Sequence, residues 1–275
     1  MQYSLFDIHS HLTFADFDVD RDDIIERMRV AGIGTIAVGT DIQTSKDSIA
    51  LAREHEHIFA TVGIHPAHGG VHADFAGLPE LVGHPKVVAI GECGLDYFRI
   101  TENNPEGQIA TIKEKQKQLF IQHIELAREH ALPLMIHARP SKGSMDAYED
   151  ILALLESTKH EARSTTQGDV HFFAGSVAIA RRFLDLGFSL SFDGPITFAS
   201  DYDEVIRFVP DNMIMAETDA PFAAPAPFRG KRNEPPYVCY VVEKIALLRG
   251  ISVEECSRML TKNALRAFHI DGEVL

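Results

Sequence analysis

At 275 residues with 45% hydrophobic content, the chain is long enough for one large core, and no Ser/Gly-rich or Pro-rich linker divides it, so a single domain over 1–275 is expected. The 26 Lys and Arg against 40 Asp and Glu give a formal charge of −14, which excludes a broad basic nucleic-acid face but not a small anionic group held in a cleft. Cys93, Cys239 and Cys256 are scattered and odd in number, so neither a disulfide framework nor a cysteine zinc site is indicated and a reducing cytoplasm fits.

The first residues, MQYSLFDIHS, lack the basic-then-apolar form of an export signal, and no run reaches the roughly 18 apolar residues of a membrane helix, so a soluble protein is expected. In chain order, short apolar runs that read as strands buried on both faces alternate with helical spacing. SLFDIH precedes the helix candidate RDDIIERMRVAG; GTIAVGT precedes QTSKDSIALAREHE; IFATVGIHP and KVVAIGECG follow, then the long EGQIATIKEKQKQLFIQHIELAREHA. LPLMIHAR leads to SMDAYEDILALLES, DVHFFAG to SVAIARRFLDLG, GFSLSFDG to DYDEVIRFV, and NMIMAETDAP to the closing helices PYVCYVVEKIALLRG and SVEECSRMLTKNALRAF. Eight such strands, joined by right-handed crossovers, predict a (β/α)8 TIM barrel. An open doubly wound sheet would place a Gly-rich phosphate loop after its first strand, and no G-x-G-x-x-G stands there.

The active site of such a barrel lies at the carboxyl ends of its strands, and here those ends carry residues unsuited to a core. They are His9 and His11, His65, Glu92 and Asp96, His137 and Arg139, His171, and Glu217 and Asp219. Alternation puts members of each pair on one side, and burying so many imidazoles and carboxylates together is costly unless cations compensate. The arrangement predicts two divalent ions. His9 and His11 hold one together with Asp219, which also touches the attacking water; His137 and His171 hold the other; Glu92 bridges them. Asp7, deeper on the same face, is expected to accept a ring N–H from a ligand histidine. Mixed imidazole and carboxylate ligands suit Zn2+, Mn2+ or Fe2+ at least as well as Mg2+.

The remaining histidines read blandly: His55, His57, His123, His130 and His160 fit solvated faces, and His68, His72 and His84 follow turns. Cys93 reads as packing, and Phe14 and Phe17 read as core in preference to a base-stacking surface.

In order, DIHSH, GIHP, GECGLDY, PLMIHAR, HFFAG, ETDAPF and RGKRNEPPYV resemble the TatD-type metal-dependent hydrolases, an amidohydrolase-like barrel family associated with deoxyribonuclease activity, over nearly the whole chain. The resemblance implies the ligand set just given, and it places His65, Arg139 and Arg232 near a substrate phosphate. Asp96 and Tyr97 of GECGLDY complete the expected substrate-binding set, and Glu217 joins Asp7 outside the ligands. Where the family carries HCFSG this chain has HFFAG, so Phe172 replaces Cys, and Ala174 replaces Ser with loss of any hydroxyl contact there. The segment between HAR and DVH also runs longer than usual.

These residues suit phosphodiester cleavage, with Asp219 as general base and Glu92 as the bridging carboxylate. The expected activity is a 3′-to-5′ exodeoxyribonuclease on single-stranded DNA ends. A grip on one or two terminal nucleotides needs no wide basic face. The cluster FRGKRNEP, with Arg229, Lys231 and Arg232, is the densest positive charge in the chain and lies where barrels bind phosphate. An amide, ester or lactone hydrolase, including a D-aminoacyl-tRNA deacylase, would use the same metal site, and a silent barrel serving as an interaction module is disfavoured by the complete ligand set.

Overall fold

The structure, a computed structural model, describes residues 2–67, 75–159 and 167–275. In order the elements are β1 (Gln2–Tyr3), β2 (Leu5–Ser10), α1 (Arg21–Ala31), β3 (Ile33–Ala37), α2 (Ile42–Glu54), β4 (Ile58–Val62), α3 (Pro79–Val82), β5 (Val87–Asp96), α4 (Tyr97–Asn103) and α5 (Glu106–Glu129). They continue with β6 (Leu134–Arg139), α6 (Asp146–Lys159), β7 (Gly168–Val170), α7 (Val177–Asp185), β8 (Phe188–Phe192), α8 (Asp203–Phe208), β9 (Ile214–Ala216), α9 (Val238–Arg249), α10 (Val253–Ala267) and β10 (Glu273–Val274).

Strands β2 to β9 pair in sequence order, all parallel, and each overlaps one of the eight apolar runs. The barrel closes through a parallel bridge between Ser10 and Ala220, with His11 N donating to Ala220 O at 2.7 Å and Asp219 N donating to His9 O at 2.9 Å. Closure therefore joins the two segments that carry His9, His11 and Asp219. The architecture is a TIM barrel. Two elements go beyond the predicted map. Asp96 caps a short helix, α4, by accepting Arg99 N at 3.0 Å, and β1 pairs with β10 as a separate two-stranded sheet. His68, His72 and His160, with part of the long segment before β7, lie outside the described residues.

The helices bury their apolar faces against the outside of the barrel, as a 3.6-residue period requires. Among the helical histidines, His123 departs from the solvated-face reading: it is 0% exposed on α5, on the same stripe as Gln116, Leu119, Phe120 and Ile124. His57 is buried too. Among the described residues no helix is long and apolar enough to cross a membrane.

Inside the barrel, Phe6, Ile8, Ile36, Val38, Val88, Met135 and Met215 form a lower core layer. Met135 and Met215 precede His137 and Glu217 by two, so they stand on the same inward side, below the polar rim. In β2, however, the pairing slips by one residue between Asp7↔Thr35 and Ser10↔Ala37. Across such a shift the inward side changes parity, from Phe6 and Ile8 to His9 and His11. Asp7 falls outside the set it was expected to join.

Candidate metal centre

The prospective ligands stand in the carboxyl-terminal halves of barrel strands or just past them. His9 is the penultimate residue of β2 and His11 follows the strand, Glu92 lies within β5, His137 within β6, His171 directly after β7, and Asp219 in the loop after β9. Glu92 needs β5 to approach β6 closely. A Cβ on Gly91 (φ +155°) would stand 2.5 Å from Met135 O, and one on Gly94 (φ +127°) 2.1 Å from His137 O, so both flanks of Glu92 require glycine.

The donor atoms form two abutting groups. His9 Nε2 and His11 Nε2 are 3.3 Å apart, and Asp219 Oδ1 is 3.7 Å from the first and 3.3 Å from the second. Glu92 Oε2 lies 3.7 Å from each of these nitrogens. Its other oxygen, Oε1, stands 2.9 Å from both His137 Nδ1 and His171 Nε2, which are 3.3 Å from one another. Glu92 thus offers one oxygen to each group, the arrangement of a bridging carboxylate. Ligand atoms about 2.1 Å from a tetrahedral ion stand about 3.4 Å apart, so these spacings suit divalent cations. Two imidazole nitrogens facing one another also require something positive between them. His9, His11 and Asp219 form one group able to hold an ion, and alternative groupings draw on His9, His171 and Glu217 or on His65, Glu92 and His137.

The electrostatics point the same way. Burial, then the field of His171, lowers the pKa of His9, which keeps its ring neutral as a ligand must be. Burial would also lower His171 and His137, but Glu217 and Glu92 around the first, and Asp96 and Glu92 around the second, outweigh it and raise both. A site that pulls protons onto buried imidazoles is short of positive charge. Burial would raise Glu92 and Asp219, yet the surrounding histidines hold both carboxyls below the usual range, so both are ionised at neutral pH.

The cleft above these groups has a volume of about 540 Å³, and His65, Arg139 and Asp219 are among the residues lining it. His65 Nδ1 accepts the Ala67 amide at 3.1 Å, which leaves the ring proton on Nε2, 3.4 Å from Glu92 Oε1. In that tautomer His65 is a donor into the cleft rather than a metal ligand. Asp96 is 0% exposed; its Oδ2 stands 3.4 Å from His137 Nε2, so it backs a prospective ligand instead of meeting a substrate. Glu217 likewise faces His171 Nδ1 at 3.5 Å while accepting Phe172 N at 2.5 Å and Ser191 Oγ at 3.0 Å. That amide bond anchors Phe172 in a left-handed conformation, φ 48°, that a bulky side chain rarely adopts.

Besides Asp96, three expected placements differ. Among the described residues Asp7 meets no histidine ring: its carboxyl accepts His9 N at 3.2 Å, Thr218 N at 2.9 Å and Thr218 Oγ1 at 2.7 Å, and it ties the backbone of one ligand segment to that of another. Tyr97 is buried away from the cleft, its hydroxyl donating to Asp150 Oδ2 at 2.7 Å with the Lys113 ammonium 4.0 Å over its ring. Arg232 is not among the residues lining the cleft; both of its terminal nitrogens reach Asp20, at 2.8 and 2.6 Å, and it also binds Glu234 and Asp16 O. The Arg232 guanidinium that stood out in sequence is paired with Asp20 from the β2–α1 loop and with Glu234 of its own segment.

The residue after Arg232 carries no signal in the sequence. Asn233 is 0% exposed and donates through Nδ2 to Thr218 O at 2.7 Å and Phe222 O at 2.8 Å, which buckles the loop that carries Asp219. Arg99, beside Arg139 at the cleft, was also missed. On α5, His123 Nε2 accepts Ile64 N at 3.0 Å and Gln116 Nε2 donates to Pro66 O at 3.0 Å, so one helix braces both sides of His65. Asp169 had a sequence signal. Asp-x-His occurs before His171 as it does before His9, and Asp169 accepts Ser191 Oγ at 2.6 Å beneath the site. At HFFAG, Ala174 lines the cleft and its amide donates to the Tyr148 hydroxyl at 3.0 Å, so a hydroxyl from α6 stands at the wall where the family's serine is absent.

The family model for TatD-related DNases matches residues 6–269. The chain is 40% identical over 272 residues to the metal-dependent hydrolase YabD of Bacillus subtilis, an alignment covering 97% of this chain and 100% of that one. It is 32% identical to the 3′-5′ ssDNA/RNA exonuclease TatD of Salmonella typhimurium, over 97% and 99% of the two chains. Among solved structures, the TatD homologue YJJV of Escherichia coli superposes with a TM-score of 0.83 at 27% identity, covering 98% of this chain and all of that one. On the match along residues 6–269 and on these relatives, the chain belongs to the TatD-related DNase family of metal-dependent hydrolases.

Proposed function

We infer that this hydrolase cleaves phosphodiester bonds at single-stranded nucleic-acid ends, working from the 3′ end. The observation that carries the reading is the composition of the cleft: ionised ligand carboxylates and imidazoles form its floor, while Arg99, Arg139 and the donor His65 line its side. A carbonyl substrate has no use for that cationic wall, whereas a phosphodiester carries the charge it would meet. The relative named a 3′-5′ ssDNA/RNA exonuclease supports the polarity and the single strand.

Divalent ions held by His9, His11 and Asp219 and by His137 and His171, with Glu92 between them, would acidify a water and neutralise phosphoryl charge. Asp219 is ionised and keeps Oδ1 toward His9 and His11, so we assign Oδ2 as the acceptor of the proton from the attacking water. His65 Nε2–H donates to a non-bridging phosphoryl oxygen, and its aim is fixed by the Ala67 amide on Nδ1. Arg139, its guanidinium 4.4 Å over the Phe98 ring, presents its planar face and donors at the rim beside Arg99. Asp96 and Glu217 orient His137 and His171 from behind.

Elemental analysis of purified protein, paired with hydrolysis of a 5′-labelled single-stranded oligonucleotide and of a neutral aryl ester, tests the reading. Bound transition metal or magnesium, loss of both metal and oligonucleotide cleavage in Glu92→Gln, and little ester turnover are expected. Ester hydrolysis matching or exceeding oligonucleotide cleavage would transfer the assignment to a carbonyl hydrolase.

A further inference from the structure

The rim of the cleft has two unlike walls. Strands β5 and β6, which lead to Arg99 and Arg139, are the fourth and fifth in a barrel whose first and last, β2 and β9, close on each other, so the arginines lie across the mouth from the β2 and β9 loops. Those loops present phenylalanines. Phe14 lies flat on His11, with centroids 4.6 Å apart and an angle of 18°. Phe222 stands edge-on to Phe14, at 6.2 Å and 75°, and to His11, at 6.0 Å and 66°.

Phe222 is 51% exposed, three residues after Asp219, and its loop is anchored rather than loose. Its amide donates to Asp219 O at 2.8 Å and its carbonyl accepts from the buried Asn233. The anchored loop thus presents a half-exposed aromatic ring at a fixed place in the cleft lining, where a flat ligand group can cover it. Phe198, the other exposed phenylalanine among the described residues, lies 4.3 Å beneath the Arg229 guanidinium; among the same residues no such cation stands over Phe222.

We propose that Phe222, backed by Phe14, is the platform on which the unpaired terminal base of the substrate stacks while its phosphate faces the arginines. The inference rests on the phosphodiesterase reading and narrows its substrate to ends whose last base is free. In a duplex the terminal base is stacked on its neighbour and paired at its edge, and a cleft of about 540 Å³ falls in the small-ligand range of roughly 300–1,000 Å³. Stacking is insensitive to charge, so it supplies grip to a chain of net charge −14 without a basic surface.

The test uses the full chain loaded with Mn2+, as parent, Phe222→Ala and Phe222→Trp, on a 5′-labelled single strand ending in adenine and on the same strand ending in an abasic residue. The parent should show a KM for the abasic end roughly tenfold or more above that for the adenine end, by the usual worth of one stacked base. In Phe222→Ala that ratio should fall toward one, and Phe222→Trp should preserve it. A parent ratio near one, or an equal loss on both ends in Phe222→Ala, overturns the platform. If the parent cleaves neither strand, the phosphodiesterase reading fails, and calorimetric binding of dAMP against 2-deoxyribose 5-phosphate decides the platform separately. An adenine preference in the parent that Phe222→Ala abolishes sustains it; equal affinities reject it.

Discussion

Replacing Asn233 with alanine removes three contacts at once. Its Nδ2 donates to Thr218 O and Phe222 O, and its Oδ1 accepts Glu234 N at 2.9 Å. The bond to Thr218 O is fully buried, and the other two are half-buried and can be partly rescued by water. A buried polar group left without its partner costs about 1–3 kcal/mol, so the fully buried carbonyl dominates and the total comes to about 3 kcal/mol. For a chain of this size about 3 kcal/mol corresponds to a fall in Tm of about 6–12 °C, measurable by differential scanning calorimetry. Because Thr218 and Phe222 bracket Asp219, kcat on a single-stranded oligonucleotide should also fall, by about tenfold or more, a loss of transition-state stabilisation. Asn233→Asp keeps the acceptor but lacks the donors, and it should behave like the alanine variant. If both variants melt within about 2 °C of the parent and turn over within about twofold of it, the carboxyl-terminal loop of β9 does not depend on this side chain and the reasoning fails.

The two arginines singled out in sequence should separate cleanly. Arg139→Ala should raise KM for an oligonucleotide by about tenfold or more, whereas Arg232→Ala should leave it within about twofold, since Asp20 and Glu234 occupy its guanidinium and it does not line the cleft; the reverse order would restore Arg232 to the substrate site. A second expectation concerns acid stability. Burial pushes the His123 pKa from 6.5 down to about 4, so the folded chain refuses a proton that the unfolded chain takes between those values. Its contribution is therefore intact above about pH 6.5 and is lost as pH falls toward about 4, by about 3 kcal/mol in all. Gln at position 123 can still accept the Ile64 amide and does not titrate. Urea unfolding from pH 7 to 4.5 should accordingly show a shallower decline in His123→Gln than in the parent, and identical slopes would refute the assignment.

Much of this molecule is legible residue by residue. A strand buried on both faces must be apolar throughout, so eight short apolar runs separated by helical spacing announce the barrel. Histidines and carboxylates at the carboxyl ends of those runs then stand out, because nothing in a core accounts for them. His9, His11, Glu92, His137, His171 and Asp219 were readable for that reason, and the structure brings them within a few ångströms of one another. His123 was readable in principle, since it shares a helical stripe with Leu119, Phe120 and Ile124.

Other features depend on partners distant in the chain, and local pattern carries no trace of them. Asp7 alternates with His9 in sequence, but a one-residue slip against β3 sends it to Thr218, a position set by pairing and not by spacing. Arg232 reads as a phosphate contact until Asp20, 212 positions earlier, is seen to occupy its guanidinium. Asn233 looks like any polar loop residue, and Tyr97 like any residue at a strand end, until the carbonyls of one and the Asp150 partner of the other come into place. Composition and periodicity determine which side chains must be buried or must be compensated, because those costs are local. Which group does the compensating is decided only when the barrel closes and distant loops meet.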